Sequence, residues 1–143
     1  MGNLLAYSGI VTKARAMEGK LLSSQQFEII AGLGSVPEIV EYLKKNTAYV
    51  DVLDTLEEEQ IHRGNIEKVL IQSLYHDYTK LYRFCGQKQR RFMRLIMKSY
   101  EIDLINYCLR IVINHYKQPF DLAYKQPFFD RYSQISIERL ITS

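Results

Sequence analysis

Apolar residues recur every three or four positions along most of the chain, the period of a helix with one buried side. Over residues 4–22, Tyr7, Ile10, Val11, Ala14, Met17 and Leu21 share one side, while Ser8, Thr12, Arg15 and Glu18 fill the other. This predicts a first helix from Leu4 to about Leu22. Ser23 or Ser24 caps a short second helix through Ile30. Gly32 and Gly34 are expected to stop it, because glycine enters the left-handed turn at little cost. Ser35-Val36-Pro37-Glu38 reads as a capping box, with Ser35 bonding first-turn amides and Glu38 reaching back. Proline is tolerated there because first-turn amides have no intrahelical partner. The third helix runs to about Lys45, its closing lysines suited to the helix dipole.

A long helix is then predicted from Asp54 or Thr55 to about Cys85. Ile66, Val69, Leu70, Leu74, Tyr78, Leu81, Tyr82 and Cys85 make its apolar stripe, and Glu57, Glu58 and Glu59 give it an acidic first turn. Gly64 weakens it by about 1 kcal/mol of helix propensity. After Gly86 two further helices are expected, over 88–98 and 102–116. In the second, Ile102, Ile105, Leu109, Val112, Ile113 and Tyr116 line one side, and Asp103, Asn106, Arg110, Asn114 and Lys117 the other. From Lys117 the periodicity is lost, and Lys117-Gln118-Pro119-Phe120 recurs as Lys125-Gln126-Pro127-Phe128. Residues before proline are pushed away from helix, so 117–130 reads as a connector. No hairpin signal occurs, and the fold class is all-α.

The closing Ser-Gln-Ile-Ser-Ile-Glu-Arg-Leu-Ile restarts the polar–apolar–Glu–apolar pattern of Phe27-Glu28-Ile29-Ile30. Units that repeat in this way share a core and cap one another. The expected organisation is a first unit over 1–116, a connector over 117–130, and an interrupted second unit over 131–143. An interrupted repeat exposes apolar surface and invites an artificial dimer.

With 143 residues the chain is one domain by length, able to bury about 70% of its unfolded surface. Hydrophobic residues at 47% and charged residues at 24% are ordinary for a globular protein. No apolar run is long enough to span a membrane. Ala6 stands where myristoylation requires Ser or Thr, and Tyr7, Ser8, Thr12 and Lys13 interrupt any signal-peptide core. Without a secretion signal, Cys85 and Cys108 read as reduced core thiols of a cytosolic chain. A net charge of +3 does not by itself argue for nucleic acid.

Three motifs, in this order, carry a resemblance. The first is the opening Tyr7-Ser8-Gly9-Ile10-Val11-Thr12-Lys13-Ala14-Arg15-Ala16-Met17. The second is the capped helix at Val36-Pro37-Glu38 followed by Leu43-Lys44-Lys45-Asn46-Thr47-Ala48-Tyr49. The third is Asp103-x-x-Asn106-x-x-Leu109-Arg110. Over residues 5–115 the chain resembles the C subunit of bacterial and archaeal V-type (A-type) ATPases, the counterpart of the eukaryotic d subunit. The resemblance implies an all-helical protein of three related units arranged as a funnel, without catalytic activity or cofactor. It implies a place on the cytoplasmic side of the membrane rotor ring, where the central shaft plugs into its socket. Torque would pass through it between an ATP-hydrolysing head and a proton- or sodium-carrying ring. The family is more than twice as long, so the resemblance implies an amino-terminal fragment.

The candidate contact residues are Arg90, Arg91 and Arg94 and the polar set Asp103, Asn106 and Arg110, for which holding the repeat together is the favoured of the two roles. The stretch Lys88-Gln89-Arg90-Arg91-Phe92-Met93-Arg94 has three readings: a solvated basic side, a contact with an acidic protein, or, with eleven tyrosines for stacking, a phosphate binder. The resemblance favours protein partners and no nucleic acid. The alternative is a stand-alone helical regulator of acidic surfaces or nucleic acid. His62 and His76 lie roughly 21 Å apart along one predicted helix, and no Cys-x2-Cys or His-x3-His pair exists, which argues against a metal site. Gly32-Leu33-Gly34 is too short for a dinucleotide loop, and no nucleophile elbow or phosphate loop is present.

Overall fold

A computed structural model describes residues 2–117 and 120–142, with side chains from Tyr7 onward. Met1, Gln118, Pro119 and Ser143 lie outside the described residues, and with them the centre of the first Lys-Gln-Pro-Phe copy. Every regular element among the described residues is helical, so the chain is all-α. The helices are α1 (Gly2–Glu18), α2 (Ser24–Ala31), α3 (Val36–Asn46), α4 (Val50–Leu53), α5 (Arg63–Arg83), α6 (Gln87–Ile113), α7 (Gln126–Tyr132) and α8 (Ile137–Thr142). Short 3-10 turns lie at Glu58–Gln60 and Ala123–Lys125. The chain forms two compact units, residues 1–84 and 85–143.

In the first unit local side-chain chemistry sets the helix starts. Ser23 Oγ accepts the Gln26 amide at 3.2 Å and Gln26 Oε1 accepts the Ser23 amide at 2.9 Å, a reciprocal cap that opens α2. Ser35 Oγ accepts the Glu38 amide at 3.4 Å, but Glu38 reaches one residue further back than expected, to the Gly34 amide at 3.1 Å. Gly32 closes α2 with φ −85°, and no described glycine has a positive φ. The expected left-handed stop is therefore corrected: Gly32 keeps right-handed angles, and its amide closes α2 on the Glu28 and Ile29 carbonyls.

The long helix expected from residue 54 also divides. Thr55 Oγ1 donates back to the Val52 carbonyl at 2.7 Å, and the chain turns through Glu58–Gln60. His62 then caps α5, its Nδ1 accepting the Asn65 amide at 3.4 Å. The break follows from burial. Leu56 and Ile61 pack onto the core built by Val40, Leu43, Leu53, Ile66 and Val69, and one straight helix cannot deliver all of them. Gly64 falls in the first turn of α5, where its propensity matters least. On α5 Tyr75 is buried alongside Ile66, Val69 and Tyr78, while Leu74 faces solvent. The predicted α1 stripe is only half covered: Ile10 and Met17 are half-buried, and Tyr7, Val11 and Leu21 are exposed.

The second unit is organised by α6. Its 27 residues run unbroken where two helices were expected, because no breaker interrupts Lys98-Ser99-Tyr100-Glu101. Met93, Met97, Glu101, Leu104 and Cys108 form its buried side. The expected stripe of Ile102, Ile105, Leu109, Val112, Ile113 and Tyr116 is exposed throughout, so the sequence assigned the wrong side to the core. The far end closes with the Tyr116 amide on the Ile111 carbonyl and the His115 amide on Val112, both at 3.1 Å. His115 takes the left-handed position at φ 52° that glycine usually fills.

The second Lys-Gln-Pro-Phe copy is not irregular. Gln126, before proline, adopts helical angles, and Pro127 sits in the first turn of α7. There its missing amide costs nothing, and the helix buries Phe128 and Phe129. The pre-proline bias is overridden by that burial. Phe128 meets Tyr100 of α6 edge-on at 5.8 Å and Tyr132 at 5.2 Å. Ser136 Oγ accepts the Arg139 amide at 3.3 Å, as Ser23 does for Gln26, but Ile137 is fully buried where Phe27 is exposed.

Leu53→Ala removes a side chain with 0% exposure, and urea unfolding should show a loss of about 2–5 kcal/mol. A loss below about 0.5 kcal/mol would mean the site collapses onto the space. His115→Gly should instead stabilise by about 1 kcal/mol in the same assay, by relieving left-handed strain.

Candidate functional site

The predicted contact residues all lie on α6, and helix geometry sorts them. At about 100° per residue, Arg90, Arg91 and Arg94 spread over a wide sector and do not form one line. All three are exposed. Arg90 lies toward the packed side, where its charge reaches Cys85; burial pushes that thiol up and Arg90 offsets part of the rise. Arg91 borders the opposite, apolar side, and Arg94 lies between the two.

Asp103, Asn106 and Arg110 do share one exposed stripe. Asp103 acts within its own unit. Burial lowers the Lys125 pKa and the nearby Asp103 carboxylate opposes that; burial raises Tyr100 and Asp103 adds to it. Arg110 stands in the last turn of α6, where a cation suits the dipole. Helix geometry thus joins Asp103, Asn106 and Arg110 in one strip and separates Arg90 from Arg91.

Sequence reasoning missed Glu101. Its carboxylate is 7% exposed and accepts from Lys98 Nζ and from Ser133 Oγ, each at 2.6 Å. Ser133 Oγ in turn accepts the Ile135 amide at 3.0 Å. The carboxylate therefore ties α6 to the segment between α7 and α8. Burial alone would raise its pKa, but the bonds from Lys98 and Ser133 and the Lys98 charge outweigh it and hold the group below the ordinary value. The signal was available: Glu101 falls in step with Met93, Met97, Leu104 and Cys108.

The first unit carries a cleft of about 360 Å³ between α1, α4 and α5. Lys13, Lys20, Lys80, His76, Asp51 and Asp77 supply its polar lining. Lys80 pairs with Asp77 at 3.3 Å, and Lys13 Nζ stands 5.6 Å from the Phe84 ring centre. Mixed charge of this kind shows no preference for one ligand class. Among the described residues no three metal-ligating side chains converge, and no helix is long and apolar enough to cross a membrane. Cys85 and Cys108 are buried free thiols whose pKa values burial raises, which suppresses the reactive thiolate.

Among the described residues the longest helix, α6, shows solvent a mixed apolar and basic side. The family model of the ATP synthase (C/AC39) subunit matches residues 10–143, and the chain belongs to that family. It is 29% identical over 96 residues to the A-type ATP synthase C subunit of Thermococcus kodakarensis, across 67% of this chain and 26% of that protein. The chain thus spans about a quarter of the relative it matches. No solved structure matches the chain.

Because the folded pKa of Glu101 is depressed, its stabilisation is complete above the unfolded value of about 4.3 and is lost as pH falls through the folded value. Glu101→Gln should cost about 1–3 kcal/mol at pH 7. That difference should shrink as the pH drops well below about 4. Urea unfolding at both pH values reads it, and an unchanged difference would exclude an ionised clamp.

Proposed function

We propose that this chain serves as part of a non-catalytic adapter in the central stalk of a V-type ATPase or ATP synthase, linking the rotary shaft to the membrane rotor ring. The carrying observation is the family match over residues 10–143, together with the similarity to the C subunit of an A-type ATP synthase. On this reading the chain lies on the cytoplasmic face of the membrane as a peripheral protein. Its partners are the shaft components and the ring, and no nucleic acid takes part. The repeat organisation of 1–116, 117–130 and 131–143 belongs to the same proposal.

The mechanism is mechanical. A helix transmits load because its backbone hydrogen bonds lie along its axis, and α6 gives roughly 40 Å of continuous helix at 1.5 Å per residue. The Glu101 clamp and the Phe128 cluster brace it on one side. Arg90, Arg91 and Arg94 are proposed as contacts to acidic partner surfaces, where complementary charge fixes orientation more than it adds affinity. Asn106 and Arg110 are proposed as contacts on the apolar side. Asp103 is proposed to hold the repeat together through Lys125.

The test is binding of the chain to purified central shaft and, separately, to the purified membrane ring. Binding to either supports the adapter reading; binding to neither, with folding intact, removes it. Reversing Arg90, Arg91 and Arg94 to Glu should weaken the productive interaction at least tenfold while helicity is kept. Unchanged affinity would remove those three residues from the contact.

A further inference from the structure

We propose that the exposed side of α6 is a docking seam for an amphipathic α-helix of another chain, one whose apolar stripe is bordered by aspartate and glutamate. This goes beyond the adapter reading and stands whether or not that partner belongs to a rotary machine.

Three observations carry it. The first is periodicity. Phe92, Leu95, Ile102, Leu109 and Ile113 are between 49% and 69% exposed, and their spacing of three, seven, seven and four is that of the a and d positions of a heptad. Ser99 and Asn106 take the two remaining a positions, so the seam runs three heptads, roughly 31 Å. It faces away from Met93, Met97, Leu104 and Cys108, which are buried. A helix apolar on two opposite sides is the pattern of one packed on both.

The second is charge. Residues 87–98 hold Lys88, Arg91, Arg94 and Lys98 besides Arg90, and no acid. The first turn of α6 contains no acidic residue, and Gly86 supplies no side-chain cap. Cations at a helix amino terminus oppose the dipole, so Lys88, Arg91 and Arg94 do not serve α6 itself, whereas Lys98 is held by Glu101. Local rules broken in this way mark a surface kept for another purpose.

The third is what the charge excludes. A parallel second copy would set Arg91 against Ile96 and offer a single acid, Asp103, opposite Lys98, whose charge Glu101 already holds. An antiparallel copy would offer only Asp103 against Lys88, Arg91 and Arg94. An acidic-bordered helix neutralises them, and Asn106 in the seam fixes its register by pairing with a polar group, as single a-position asparagines do.

The experiment uses a synthetic three-heptad peptide with Leu at a and d and Glu at e and g, and a sister peptide with Lys at e and g. Fluorescence anisotropy is read against the folded chain at low and moderate salt. The Glu peptide should bind at least tenfold more tightly than the Lys peptide, and the gap should narrow with salt. Arg91→Glu combined with Arg94→Glu should reverse that order. Leu95→Asp with Ile102→Asp should abolish binding of both peptides; Leu109→Ser, a milder change at the same seam, should weaken it if the double variant loses helicity. Equal binding of the two peptides, or binding of neither, overturns the proposal. So does a dimer in sedimentation equilibrium that Leu95→Asp dissolves, which would assign the seam to a second copy. Displacement of the Glu peptide by single-stranded DNA, with affinity for that DNA unaffected by Leu95→Asp, would overturn it in favour of a phosphate surface.

Discussion

One layer of helices can cover only one side of a helix, and α6 is apolar on two. That constraint organises the second unit. Met93, Met97, Leu104 and Cys108 take the buried side, where α6 meets Phe128 and Ser133, and Phe129, Leu122 and Ile137 of the same unit have no exposed surface. Burying that side also buries Glu101, which a lone carboxylate could not tolerate. Lys98, one turn back along α6, and Ser133, at the end of α7, answer its oxygens. The ion pair by itself is worth little, because Lys98 is largely exposed. The bond to Ser133 matters more, since it fixes where the chain leaves α7.

The first unit meets a related constraint with shorter pieces. Leu53 reaches full burial only because α4 is four residues long and the chain turns immediately after it. The turn brings Leu56 and Ile61 onto the same core, and His62 restarts the helix. Lys44 pairs with Asp54 at 2.9 Å across this corner, half in solvent and therefore a minor contributor. Histidine has a structural role twice: His62 caps a helix with its ring, and His115 ends one in a left-handed conformation.

The proposed mechanical role draws on these features differently from an enzyme's. Capped helices and buried tie points resist deformation, whereas catalysis requires titratable groups converging on a reacting atom. The titratable group most firmly held in the second unit, Glu101, is spent on joining two segments. The groups left at the surface of α6 are cations and large apolar side chains, the combination that interface cores and their polar borders are made from.

The amino-acid sequence by itself determined the helical class, the starts of α1, α2, α3 and α6, and the family, because these depend on residues close together in the chain. Ser23, Ser35, Pro37 and Gly86 act on their own neighbours, and a cap works wherever the helix is placed. The family motifs at residues 7–17, 36–49 and 103–110 were legible for the same reason. Which side of α6 is buried was not legible. Both Met93-Met97-Leu104-Cys108 and Phe92-Leu95-Ile102-Leu109 keep helical spacing, so periodicity favours neither. Only the tertiary structure decided between them, through Tyr100 against Phe128 and Glu101 against Ser133, pairs separated by about thirty residues in sequence. The same holds for Gln126-Pro127, where local preference argued against helix and the burial of Phe128 and Phe129 overrode it.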